Sequence, residues 1–330
     1  MDKKPDDEIA WPAVAAALRR YAARPEYREE IARMLAPLLT SYAFLPDSRR
    51  FFQIWEAQPV HVSPVHFYSP IPDTRALPDA LWQRASDLPG IDMNEVGQLA
   101  LLAAFRQFQD EYDAFPHEPT NDPRAFHYAN TMFSGTDALA LYCMVRHVRP
   151  ARVLEVGSGF STRLSAQALV ANDAGQLTCI EPYPDEVLRG GFPGLTSLIA
   201  TPVQDVPLAT FEQLQSGDIL FIDSSHVVKC GSDVNWLYLD VLPRLAPGVL
   251  VHLHDIFLPR EYPEDWLRHK FLFWSEQYLL QAFLAFNDAF EVVFANAWLA
   301  ETHLDALRAA FPRAPWWGAG GSFWMRRKPA

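Results

Sequence analysis

The chain has 330 residues, 49% of them apolar and 21% charged, with a formal charge of −12. That composition describes a globular protein with a substantial core and excludes a disordered one. The acidic balance argues against a nucleic-acid surface, and Arg326-Arg327-Lys328 is too short a basic run to supply one.

In chain order, the charged N-terminus carries no long apolar run after it, so no signal peptide is expected. No window reaches membrane-spanning length, and the expectation is a soluble cytoplasmic protein with no membrane partner. Cys143, Cys179 and Cys230 lie far apart without C-x-x-C spacing, which points to buried thiols in a reducing compartment. Residues 11–39 read as one or two helices interrupted around Pro25 and Pro37. Residues 60–78, rich in proline and aromatics, cannot form a regular helix. Residues 94–112 form an amphipathic helix through Leu99, Leu102, Phe105 and Phe108. The organisation expected is a helical and loop-rich extension over 1–130, serving as lid, acceptor wall or oligomer contact, and an α/β domain over 131–330.

From there the pattern alternates. A helix over 137–148 precedes a strand at 153–156. Strands follow at 176–181, 195–200, 218–223 and 248–254, with a helix over 233–245. A long helical stretch over 264–286 leads to strands at 290–297 and 322–326, which need no complete helix between them. Repeated βα units imply a doubly wound, mainly parallel sheet, ending in a hairpin-like pair with one antiparallel strand.

Ligands of such sheets bind beyond the carboxyl ends of the strands. The first strand runs into Glu155-Val156-Gly157-Ser158-Gly159, a glycine turn followed by Ser161 and Thr162, residue types that cap helices. The later strand ends carry Glu181, Gln204-Asp205, Asp223-Ser224-Ser225-His226 and His252-Leu253-His254-Asp255. A dinucleotide turn would place glycine where Thr162 stands, and a phosphate loop would need a lysine that is absent. An acid just before the turn suits a cofactor with a cationic end.

These residues resemble the E/D-x-G-x-G motif of class I S-adenosylmethionine-dependent methyltransferases, and the resemblance extends from about residue 126 to the C-terminus. It implies a Rossmann-like seven-stranded sheet and S-adenosyl-L-methionine as cofactor. The cofactor-binding set would be Glu155, Gly157, Ser158, Gly159, Glu181, Asp205 and Asp223, with Glu181 at the ribose hydroxyls and Asp205 facing the adenine amine. Asp223 and Asp255 also stand where the metal-dependent O-methyltransferases of catechols and macrolide sugars place magnesium carboxylates. Here the neighbour of Asp255 is His254, and imidazole favours a transition metal such as manganese, iron or zinc.

A hydroxyl acceptor needs a base, or a metal that lowers its pKa. The candidates are His226, His254 and Asp255 as catalytic groups, or Asp223, His254 and Asp255 around a divalent metal. His252 reads as a core histidine. Ser232 reads as an N-cap, with Asp233 and Asn235 solvated behind it. Tyr262, Trp266 and Trp274 are either acceptor wall or core, and Asn130, Phe133 and Asp137 fall where such folds often cover the cofactor. The expected activity is O-methylation of a small polar molecule, a sugar or secondary metabolite, as the only partner class the residues suggest. Alternatives are a metal-dependent hydroxylase or hydrolase on the same fold, and a non-catalytic cofactor-binding protein. A nicotinamide oxidoreductase is opposed by the missing third glycine and the lack of a Tyr-x-x-x-Lys pair.

Overall fold

The computed structural model describes residues 10–42, 48–58, 60–314 and 320–329. By contact the chain divides after Leu77, into units Met1–Leu77 and Pro78–Ala330, so the boundary expected at 130 falls inside the second unit. The first unit holds helices Trp11–Ala22, Pro25–Tyr42 and Ser48–Glu56. Pro25 opens the second helix, where its missing N–H costs nothing. Pro37 lies inside that helix and does not end it, contrary to the expected interruption. No helix forms among the described residues of 60–77.

The second unit is built on a seven-stranded sheet ordered β3-β2-β1-β4-β5-β7-β6. The strands are β1 Arg152–Val156, β2 Gln176–Ile180, β3 Leu195–Ile199, β4 Ile219–Ile222, β5 Leu250–Leu253, β6 Phe290–Ala295 and β7 Phe323–Arg327. Strands β1 to β5 pair in parallel, and β7 lies antiparallel between β5 and β6. This is the doubly wound sheet with one antiparallel strand that the βα alternation implies.

Alternation along the strands divides the core between two faces. Val153, Leu177, Ile219 and Phe221 point into one layer beneath helices Gly135–Val148 and Phe160–Asn172. Leu154, Leu220, Ile222, Val251 and Leu253 point into the other, with Val234, Leu237 and Leu280. All four residues of β4 and of β5 are buried, as in a sheet covered on both faces; β4 is apolar throughout and β5 is apolar except for His252. Each such aliphatic side chain contributes about 1.5–3 kcal/mol of burial.

Helix Glu95–Phe105 belongs to this unit. Asn94 Nδ2 donates to the Val292 carbonyl at 2.9 Å, and the Ala295 amide donates to Gln98 Oε1 at 2.7 Å, so the helix entry is tied to β6. Two helices, Asn296–Thr302 and Leu304–Ala310, separate β6 from β7. The expectation that none was needed there is corrected.

The stretch 264–286 is also broken. Helix Glu264–Arg268 ends, residues 269–275 leave the helical path with Phe271 at φ +56, and helix Glu276–Leu284 begins. The cause is tertiary. The amides of Ser275 and Glu276 both donate to the His226 carbonyl, at 2.9 and 3.1 Å, and Ser275 Oγ accepts the Val228 amide at 2.9 Å. Aromatic residues at helical spacing are here a loop hung on the end of β4.

Candidate active site

The turn after β1 is built around two glycines with different duties. Gly157 has φ +77 and donates its amide to the Ile180 carbonyl at 3.0 Å. A β-carbon there would stand 1.8 Å from the Asp223 carbonyl oxygen, so adjacent β4 demands glycine. Gly159 is extended at φ 178, and a β-carbon would meet nothing within 4 Å. Its open face is free for a ligand.

Helix Phe160–Asn172 starts directly after Gly159, so Ser161 and Thr162 lie in its first turn and do not precede it as caps. Their hydroxyls donate to Glu155 Oε1 at 2.7 and 2.8 Å, while Thr162 Oγ1 accepts the Gly159 amide at 2.8 Å. Glu155 is fully buried beneath the turn, and burial pushes its carboxyl up to about 8. It is not among the residues lining the cavities above, so the acid is an internal strut of the turn.

Two open chambers meet over the strand ends, sharing Gly157, Glu181, Asp223, Ser224 and Ser225. The first, about 420 Å³, runs along Tyr183, Val203, Gln204, Lys229 and Asp233. Glu181 is fixed at the divide, its oxygens accepting the amides of Ser158 at 3.2 Å and Tyr183 at 2.8 Å. Asp205 is exposed and outside the lining, where its neighbours Val203 and Gln204 stand. Ser232 caps its helix as expected, accepting the Asn235 amide at 3.1 Å. Asp233 accepts the amide and hydroxyl of Ser225, and Asn235 turns back to the Lys229 carbonyl at 2.9 Å.

The second chamber, about 560 Å³, is walled by Met132, Phe133, Phe160, Arg163 and Trp274, with His226, His254 and Asp255 at its base. Asn130 folds the approach loop, its Oδ1 accepting the amides of Met132 and Phe133. His226 and Asp255 both adopt left-handed backbone conformations, φ +59 and +56. Strain of this kind, of order 1–3 kcal/mol per residue, concentrates at functional sites.

His226 Nε2 lies 3.2 Å from Asp223 Oδ1 and 3.4 Å from Asp255 Oδ2, while Nδ1 meets Glu276 Oε2 at 2.9 Å. His254 Nδ1 lies 3.5 Å from Oδ2 of both Asp223 and Asp255, and Nε2 lies 3.4 Å from Asp137 Oδ2. Burial alone would lower both imidazoles. The carboxylates overcome it, raising His226 to about 10 and His254 well above its ordinary value. Burial likewise opposes ionisation of Asp223, and the His254 charge with the His226 contact reverses it, holding Asp223 low.

His252 is a core histidine, as expected. It stacks on Phe221 at 4.1 Å and shares a 2.9 Å hydrogen bond with Ser322, and burial holds it well below its ordinary value. Asp137 is interior: its carboxylate accepts the amides of Gly321 and Ser322, each at 2.8 Å, and the Asn296 amide group at 2.6 Å. Trp274 covers His226 with ring centroids 4.3 Å apart, backed edge-on by Trp266 and Tyr262.

For a metal, ligand atoms of Asp223, His226 and Asp255 all lie within 4.8 Å of one another. By residue type alone the strand ends pair His254 with these two acids, and Glu276 and Arg163 do not stand out in the sequence. Glu276 lies fifty positions beyond His226 in a stretch that reads as continuous helix, and no local motif marks it.

Comparison with known proteins follows the same strand ends. Residues 154–256 match the sequence profile of a methyltransferase domain. An uncharacterized protein of Archaeoglobus fulgidus is 37% identical over 166 residues, 47% of this chain and 75% of its own length. Among solved structures, the O-methyltransferase TomG of Streptomyces achromogenes, involved in tomaymycin synthesis and in complex with SAM, is 15% identical with a TM-score of 0.38, covering 69% of this chain and 90% of its own. An O-methyltransferase of Bacillus cereus in complex with SAH is 14% identical with a TM-score of 0.35, covering 69% and 91%. The domain match begins in β1 and ends just past Asp255, so the part of the chain that carries the strand ends from β1 to β5 is a methyltransferase domain.

Proposed function

We propose that this methyltransferase acts on an oxygen of a small polar molecule, with the nucleoside of the methyl donor in the first chamber and the acceptor in the second. One observation carries the reading: the chambers meet at Gly157, Glu181 and Asp223, and the histidine–carboxylate cluster stands on the acceptor side of that junction. When bound, the cofactor supplies a methyl group on a sulfonium centre.

The fit is supported by the open face of Gly159, which leaves room for close approach, and by Glu181, whose carboxylate suits ribose hydroxyls. Val203 and Gln204 are better placed for the adenine than Asp205. Asp223 supplies negative charge where a cationic methionine end would lie. Glu155 sits too deep to do so.

With the cofactor held there, the acceptor oxygen would take the methyl group as the carbon–sulfur bond breaks, the electron pair of that bond leaving with sulfur. The hydroxyl proton passes to Asp255, the carboxylate flanked by His226 at 3.4 Å and His254 at 3.5 Å. Phe133, Phe160 and Trp274 orient a compact acceptor and exclude water around it.

Isothermal titration of the full chain with S-adenosylmethionine and its demethylated product tests the reading. Binding of both near one per chain is expected, reduced at least tenfold by Glu181→Ala. Absence of heat with either, for a folded protein, overturns it.

A further inference from the structure

The acceptor chamber contains a cation that the histidine–carboxylate cluster does not use. Arg163 is the fourth residue of helix Phe160–Asn172. Ser161 and Thr162 turn inward to Glu155, which leaves Phe160 and Arg163, three positions apart, on the face that lines the chamber. The guanidinium carbon lies 4.2 Å from the centre of the Phe160 ring, and His127 meets that ring edge-on with centroids 5.1 Å apart. Stacking of this kind fixes the guanidinium plane and leaves its N–H groups pointing outward from the edge.

Those groups are short of partners. The Arg163 side chain is only 11% exposed, yet its guanidinium makes no hydrogen bond among the described residues. Its ion-pair partner is Asp185, whose Oδ2 lies 3.7 Å from Nη2. That carboxylate is 54% exposed, and its other oxygen is committed to capping helix Glu186–Gly190, accepting the Leu188 amide at 2.8 Å. Water screens such a pair strongly. Burial lowers Arg163 from its ordinary value, and the charges of Asp185 and Asp122 do not restore it.

The other charges at the chamber wall are already matched. Asp223 and Asp255 face His226 and His254, and Glu181 accepts two backbone amides. A largely buried guanidinium with open donors is completed by an anion. A planar carboxylate takes two parallel N–H bonds from such a fork. A phosphate monoester would bring a charge of about −1.5 to −2 into a chamber already lined by Glu181, Asp185, Asp223 and Asp255. Against those acids, a single guanidinium suits a monoanion.

We propose that Arg163, held flat by Phe160, is a carboxylate-binding subsite, and that the acceptor is a hydroxylated carboxylic acid whose carboxylate rests on Arg163. The proposal rests on the reading of the second chamber as the acceptor site. Arg163 lines that chamber alone and is absent from the junction with the first. The methyl donor carries a carboxylate of its own, and the measurements below separate the two sources.

Full-length chain loaded with S-adenosylhomocysteine is titrated calorimetrically with two matched pairs: 3,4-dihydroxybenzoate against its methyl ester, and glucuronate against its methyl ester. At least one acid should bind about ten- to a hundredfold more tightly than its ester, as a charge-assisted bidentate contact implies. Arg163→Met keeps the aliphatic stem and should abolish that preference. Arg163→Lys keeps the charge without the fork, should lower the preference at least threefold, and serves if Arg163→Met fails to fold by circular dichroism. A role confined to tying two helices together would weaken acid and ester alike.

No acid preferred over its ester in the wild type, or a preference unchanged in the folded variants, overturns the subsite. S-adenosylhomocysteine should bind Arg163→Met within about threefold of the wild type. A tenfold loss there overturns the acceptor assignment, and with 5′-methylthioadenosine unaffected it transfers the anion to the methionine end of the cofactor. Binding of S-adenosylhomocysteine without an acid preference rejects the subsite and leaves the methyltransferase reading standing, whereas no binding of S-adenosylhomocysteine rejects that reading itself.

Discussion

Gly157 and Asp223 approach so closely that the space for a β-carbon on the first is filled by the carbonyl oxygen of the second, 1.8 Å away. The Asp223 amide meanwhile donates to the Val156 carbonyl at 2.9 Å, so the two strands are locked where they leave the sheet. Gly157→Ala must part β1 from β4 and also adopt a left-handed backbone. A loss of about 3 kcal/mol or more is expected in urea denaturation. Gly159→Ala meets neither obstacle. It should melt within a few degrees of the wild type and weaken titrated S-adenosylmethionine at least tenfold, and equal loss of stability in the two variants would refute the division of labour.

Glu155 gives a pH signature. Burial raises its native carboxyl from 4.5 to about 8. Between those values the native state keeps a proton that the unfolded chain has released. The stabilisation is therefore complete below about 4.5 and falls away as the pH climbs through about 8, by roughly 2–5 kcal/mol in all. Glu155→Gln cannot ionise. Measured by urea denaturation, the stability difference between variant and wild type should move in the variant's favour between pH 5 and pH 8.5, and parallel profiles would contradict it.

Asp205 and Gln204 offer a contrast between adjacent side chains. Asp205→Ala should leave affinity for the demethylated cofactor within about twofold, since the carboxylate faces solvent. Gln204→Ala removes a lining group that donates to the Gly231 carbonyl at 3.2 Å. A three- to tenfold loss, about 1 kcal/mol, is expected by calorimetry. The reverse order would return the adenine contact to Asp205.

Asp137 should prove structural. Its carboxylate satisfies two loop amides and the Asn296 side chain, and faces His254. Asp137→Ala strands those donors in the interior, costing about 3–5 kcal/mol in denaturant titration. Asp137→Asn, which retains an acceptor, should cost less, and equal losses would point to a role for charge alone.

The parts legible in sequence are those fixed by local chemistry. The glycine turn, the largely apolar runs of β4 and β5 and the Ser232 cap each follow from a few adjacent residues. So does Glu181, the acid that directly follows β2. Other features depend on partners far along the chain. Thr162 has the chemistry of a cap, but the buried Glu155 carboxyl places it inside the helix. Asp205 is one residue away from the lining because a tight turn presents Val203 and Gln204. Glu276 could not be paired with His226, because the spacing around Trp274 imitates a helix and the break is imposed by the His226 carbonyl.

That suspended loop restricts how the enzyme can diversify. Because residues 275 and 276 hang from His226, an insertion or deletion there would disturb the reactive cluster together with the acceptor wall. Acceptor range should drift instead through Met132, which lines the same chamber, is largely exposed and belongs to a different segment. Directed evolution toward new acceptors is best begun on that side of the cavity.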